Sequence, residues 1–158
     1  MNFDNETLAV LTISLSDSQE VIERINKLVF ASPALWGKLD ASKMLAHCNV
    51  TYEFIYTDKH PKPNPFVKLI LKLFVKKLVV DETPYKNNNQ TAPAFIISEE
   101  KIFNDEKSRL INHITDTQKL GELHFDGKVT HSFGKLTKSE WNNLFYKHLN
   151  HHLKQFGV

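Results

Sequence analysis

The sequence predicts an all-α protein, a bundle of four main helices with long crossover connections and an additional amphipathic helix. Three observations predict it. Apolar residues recur in successive stretches at the three- and four-residue spacing of a helix face. Capping residues stand where several of these stretches begin. Glycine numbers only 5 in 158 residues, too few to punctuate a β-rich fold or to build a glycine-loop nucleotide site.

The elements follow in order. Residues 16–29 place Val21, Ile22, Ile25, Leu28 and Val29 at helical spacing, with Ser16 or Ser18 as N-cap. Pro33 and Gly37 break the chain, and Asp40 caps a second helix that runs to about Thr57 with Met44, Cys48, Tyr52 and Ile55 on one face. The run HPKPNP at 60–65 ends it. Residues 66–80, FVKLILKLFVKKLVV, form the amphipathic helix, with Lys68, Lys72 and Lys76 repeating every fourth position as a polar stripe. It is too short and too charged to span a bilayer. The expected arrangement packs its apolar side against the bundle or a dimer partner and leaves the lysines in solvent, so membrane contact is set aside.

Residues 81–97 read as a long loop bounded by Pro84 and Pro93. Ser98, Glu99 and Glu100 then open a helix to about Gln118, with Arg109, His113 and Lys119 late in it, as the helix dipole prefers. A short loop or hairpin spans 121–134. Thr137 and Glu140 make a capping box for a last helix over 138–156, stopped by Gly157. With no internal repeat and the length of one domain, the whole chain, 1–158, reads as a single unit.

Composition excludes several function classes. Lys plus Arg is 20 against Asp plus Glu 18, a net +2, which is too small a bias for binding nucleic acid by phosphate neutralisation. One cysteine, Cys48, cannot make an internal disulfide, and the opening MNFDNETLAV has acids where a signal peptide needs bases, so a cytoplasmic protein is expected. No Ser-His-Asp order, phosphate-binding loop or zinc-finger cysteine set appears.

Histidine is the unusual count, at 8. In KSEWNNLFYKHLNHHLKQF, a step of about 100° per residue puts His148 and His152 inside the apolar stripe of the last helix with Trp141 and Phe145, and His151 at its margin. Lys147, Asn150 and Lys154 lie on the opposite side. Two core-facing imidazoles need partners, because a buried polar group left unpaired costs about 1–3 kcal/mol. An H-x-x-x-H pair on a helix aims two ring nitrogens at one point, as zinc proteases do, although no glutamate follows His148 and the protease signature is absent. The pair serves equally as hydrogen-bonded core histidines. His47, on the edge of the second helix's apolar face, supplies a third nitrogen. Three neutral imidazoles suit a divalent metal ion, zinc or nickel, with a position left open for water or a small-molecule substrate.

The stretches LWGKLDASKMLAHC and HSFGKLTKSEWNNLFYKHLNHHLKQFG resemble the DinB/YfiT-like superfamily of metal-binding four-helix bundles, within a bacterial branch described as a domain of unknown function. KKLVV at 76–80 and QTAPAF at 90–95 fit that branch too, so the resemblance covers about Ile22 to Val158. It implies a metal held by His47, His148 and His152, meeting at one mouth of the bundle, and often a homodimer. Some members of the superfamily are thiol-dependent S-transferases, so a metal-dependent transferase or hydrolase acting on a small molecule is one implied activity. A non-catalytic metal- or ligand-binding protein is the other.

The remaining candidates carry weaker expectations. His131 is read at the rim of the pocket, as a fourth ligand or a partner of one, and His151 at the surface or beside the ligands. His60, His113 and His124 are expected in solvent. Cys48 is a small core residue, Trp36 and Trp141 pack the bundle, and Asn49, Asn150 and Glu53 are candidates to hold a ligand in place.

Overall fold

Residues 15–158 are described by a computed structural model of the chain, and the leader reading of residues 1–10 lies outside them. Helix α1 spans Leu15–Lys27, with Asp17 in its first turn and Arg24 and Lys27 in its last, matching the dipole. Val21, Ile25 and Leu28, at spacings of four and three, are buried. Ser18 is not a cap, because it lies inside the helix with its side chain buried.

Helix α2 spans Ala41–Tyr56, and the Asp40 side chain accepts from the Lys43 backbone N–H at 2.8 Å, as the sequence predicts. This helix is buried almost all round, with Met44, Leu45, Cys48 and Tyr52 in the core and the polar His47, Asn49, Thr51 and Glu53 also enclosed. Burial of that many polar groups requires partners on the neighbouring helices.

The amphipathic segment is helical but differs from expectation twice. Asn64 caps it, Pro65 takes its first position, and α3 (Pro65–Ile70) passes into α4 (Lys76–Val80) through a π-helical segment at Leu71–Val75. There the Lys76 N–H donates five residues back, to the Leu71 carbonyl. The second difference is its orientation. Lys76 faces inward to an ion pair with Glu140 at 2.8 Å, whereas Phe66, Leu69, Leu73 and Phe74 are exposed.

The loop after Asp81 holds one 3₁₀ turn, Pro93–Phe95. Helix α5 spans Phe103–Leu120, starting five residues later than Ser98 suggests. The acids that serve its dipole are Asp105 and Glu106, while Glu100 reaches instead to Lys43 at 3.0 Å. Gly121, at φ +75°, ends it. The connection to the last helix holds a short helix, α6 (Glu122–Phe125), and an antiparallel pair, β1 (Val129–Thr130) with β2 (Gly134–Lys135).

Helix α7 spans Lys138–Gln155 and begins with the expected capping box of Thr137 and Glu140. Beyond its end, the Val158 N–H donates to the Leu153 carbonyl at 3.1 Å around Gly157, whose φ is +72°. The long helices α1 and α2 each pack against both α5 and α7, around a core of Ile25, Leu45, Leu110, Phe145 and Leu153. The side of α7 opposite this core is covered as well, by α4 and the loop after it. Lys147 is accordingly buried, its Nζ donating to the carbonyls of Leu78 (2.6 Å) and Asp81 (3.2 Å) and to the Asp81 carboxylate (2.7 Å). Among the described residues the fold is all-α apart from the two-residue strands, and no helix is long and apolar enough to cross a membrane.

Candidate metal centre

The packing of α2 against α7 sets His47 opposite the His148/His152 pair. One nitrogen from each of the three rings lies within 4.8 Å of the other two, and among the described residues no other group of three or more histidine, cysteine or acidic side chains is so placed. His47 and His152 are buried and His148 half-buried. The Nε2 atoms of His47 and His148 are 3.0 Å apart. Two nitrogens bound tetrahedrally at about 2.0–2.1 Å would stand about 3.3 Å apart, so this spacing is close to that of ligands around one ion.

Each Nδ1 faces away from the shared point and has its own partner. His47 Nδ1–H donates to the Phe95 carbonyl at 2.8 Å, since a carbonyl can only accept. His152 Nδ1–H donates to Gln155 Oε1 at 2.8 Å, and the Gln155 amide is oriented by its own donation to the Trp36 carbonyl, also at 2.8 Å. The two rings therefore carry their lone pairs on Nε2. His148 Nδ1 lies 3.0 Å from the Thr51 hydroxyl, which donates or accepts as required. In one arrangement Thr51 donates to Nδ1 and His148 Nε2–H donates to His47 Nε2. In the other, His148 Nδ1–H donates to Thr51 Oγ1, and all three Nε2 lone pairs face the same point.

Burial holds the three rings neutral. It pushes His47 below its ordinary value, with the Phe95 carbonyl opposing. It pushes His148 far down, reinforced by the charges that His152, His47 and His151 would carry, and brings His152 to about 3. Neutral imidazoles whose second nitrogen is held by a carbonyl, an amide or a hydroxyl are what metal ligation requires. The donor set thus fits a divalent ion. The Phe95 ring lies against two of the rings, its centroid 5.3 Å from that of His47 and 5.7 Å from that of His148.

Several other sequence-based expectations are corrected. His131 does not join the cluster. Its ring nitrogens contact the Ser132 hydroxyl (3.1 Å) and the His60 carbonyl (3.3 Å), and its ring lies tilted against Phe54. His151, by contrast, takes one of its two expected places, beside the cluster, half-buried between Trp36 and Tyr85 with its ring edge to His152. His60 and His113 are not in solvent. His60 Nε2 lies 2.7 Å from the Glu53 carboxylate, and His113 stacks on Tyr52 and meets the Asn49 side chain at 3.0 Å. His124 is exposed, as expected.

Glu53, Asn49 and Asn150 do not touch the three histidines. Glu53 binds Arg109 (2.6 Å), Lys59 (3.1 Å) and His60. Asn49 donates to Glu106, and Asn150 accepts from Arg24 at 3.0 Å. Cys48 is a core residue against Met44, and burial pushes its thiol pKa well up, so it is no thiolate. Trp141 packs on Phe125 and Phe145. The groups that hydrogen-bond the three rings were not singled out from sequence for that role. Gln155 had a readable signal, a glutamine three residues after His152 on the same helix face. Phe95 contributes a backbone carbonyl from a distant loop, which leaves no side-chain signature.

Residues 9–157 match the model of a family described as a protein of unknown function, DUF1569. No curated protein and no solved structure matches the chain.

Proposed function

This chain belongs to DUF1569, a family whose description assigns no activity, and from its own residues we propose a divalent-metal-binding protein of the DinB/YfiT-like kind. His47, His148 and His152 are its ligands through Nε2, zinc or nickel its ion, and a small molecule its substrate. The observation that carries this reading is the convergence of three neutral rings, two of them with Nδ1 bound to a carbonyl oxygen. A hydrogen-bonded core has no need of three nitrogens around one point. A divalent ion with a free coordination position lowers the pKa of a bound water or thiol and yields a nucleophile at neutral pH, the chemistry of a hydrolase or a thiol S-transferase.

The chain's residues divide the remaining work. Phe95 and Gln155 fix which nitrogen of His47 and His152 carries the proton. The Thr51 hydroxyl accepts from His148 Nδ1–H or donates to the unprotonated Nδ1, so it accommodates either tautomer of that ring. The Phe95 ring shields one side of the cluster from water, which strengthens electrostatic interactions there.

The test is elemental analysis of untagged protein beside its His47→Ala and His148→Ala variants. About one equivalent of metal in the native protein, lost in both variants, is the expected result. Absence of metal after reconstitution with zinc or nickel returns the three rings to a hydrogen-bonded core. A second reading, metal binding without turnover, is favoured by one feature. Among the described residues no carboxylate hydrogen-bonds to any of the three rings, so no acidic side chain is held against them as a general base. Metal-dependent turnover in a screen of thiol-transfer and hydrolysis substrates would eliminate it.

A further inference from the structure

Between Asp58 and Asp81 the chain carries six lysines and no carboxylate. Over the same stretch α3, the π segment and α4 turn large apolar side chains outward: Phe66 is 71% exposed, Leu69 52%, Leu73 63% and Phe74 75%, with Ile70 and Leu78 beside them. Surface helices of folded proteins bury the apolar stripe and expose the charged one. Here much of the apolar stripe is exposed beside the exposed Lys72 and Lys77. Val80 is buried, Val79 packs on the core, and Lys76 is held inward by Glu140. A contiguous apolar face of this kind marks an interaction surface.

We propose that this face docks on an anionic lipid bilayer, with the helical segment lying in the plane of the interface. Charge decides between the occupants the face could take. In a symmetric pair of chains the stripe would meet itself, bringing the lysines of one copy against those of the other with no acid in the segment to offset them. Lys62, Lys68, Lys72 and Lys77 have no ion-pair partner among the described residues. Anionic headgroups supply the missing countercharge. Phe66, Leu69, Leu73 and Phe74 then enter the boundary with the acyl chains, and lysine stems extend along the apolar surface to keep their ammonium groups among the headgroups. The segment is too short to do more than lie on the surface. The expectation that set membrane contact aside assumed the apolar side to be covered, and here it is open.

The proposal is independent of the metal centre, none of whose ligands lies in this segment. Its test is co-sedimentation of the full chain with phosphatidylcholine vesicles and with vesicles containing phosphatidylglycerol, at low and high salt. Binding to the anionic vesicles is expected, with at least a tenfold loss in the L73E/F74E double variant, whose substitutions are at exposed positions. A threefold or greater loss is expected when Lys62, Lys68, Lys72 and Lys77 are changed to Gln, and on raising salt. A Phe74→Trp variant gains a fluorophore whose emission shifts to the blue on insertion. Circular dichroism and metal content matching the native protein confirm that the variants fold. Equal binding to neutral vesicles overturns the anionic-lipid assignment. Lack of binding to either vesicle overturns the proposal, and a native dimer that L73E/F74E converts to monomer assigns the face to a second copy.

Discussion

Gly37 shows how one residue without a side chain reaches the candidate metal centre. Its φ is +79°, and a Cβ there would stand 2.5 Å from Gln155 Nε2. Gln155 bonds Trp36 on one side and His152 on the other. Gly37→Ala is therefore expected to act twice. The left-handed backbone costs about 1–2 kcal/mol, readable as a lower urea midpoint. Displacement of Gln155 releases the His152 ring, and loss of such a supporting bond lowers metal affinity about 10- to 100-fold. Gln155→Met separates the effects, weakening zinc binding in a titration without the backbone strain. An unchanged zinc affinity in both variants would show that Gln155 does not hold the ligand. The glycine's conformation was open to a reading from sequence as a break between helices, but the glutamine above it was not, because the two are 118 positions apart.

At the scale of elements, Glu53 fastens α2 to α5 and to the loop that follows α2. Burial alone would raise its carboxyl, but hydrogen bonds from His60, Lys59 and Arg109 outweigh that effect and hold it at about 2. A carboxyl depressed in the fold stabilises it above the unfolded value and ceases to do so as pH falls through the folded value. The contribution is on the order of 2 kcal/mol after allowance for the solvent that reaches Lys59 and Arg109. It is present above about pH 4.5 and disappears towards pH 2. The Glu53→Gln variant is expected to be less stable than the native chain at pH 7 and nearly equal to it towards pH 2, as measured by urea unfolding across pH. A stability gap independent of pH would locate the effect in packing instead. Sequence periodicity found both helices but misplaced the start of α5, because Glu100, which looks like a first-turn acid, is engaged by Lys43 on α2.

For the molecule as a whole, anything bound only by the folded state stabilises it by mass action, about 2.7 kcal/mol at a ligand concentration a hundredfold above Kd. For a chain of this length that corresponds to a rise in Tm of about 5–10 °C. Zinc or nickel added to metal-stripped protein is expected to produce such a rise, and His148→Ala to abolish it. A Tm indifferent to metal would favour the hydrogen-bonded core. The three histidines come from α2 and α7, which otherwise meet through side-chain packing and the Thr51–His148 hydrogen bond, so an ion would tie together side chains 101 or more positions apart in sequence.

What the sequence determined by itself is what neighbouring residues decide. The helical spacing of Val21, Ile25 and Leu28, the Asp40 cap and the capping box of Thr137 and Glu140 are interactions within a turn or two, so they are legible in order and spacing. The His148/His152 pair belongs with them, because one helix aims both rings. Tertiary structure decided that His47 meets this pair and that Phe95, Thr51 and Gln155 hold the rings. It also decided that His131 turns to His60, that Lys147 is buried, and that Phe66, Leu69, Leu73 and Phe74 face outward. The physical reason is that a helix's pattern of apolar and charged residues defines its faces but not which neighbour, or solvent, each face will meet. That choice depends on how all the helices pack around the core, a property of contacts between distant residues.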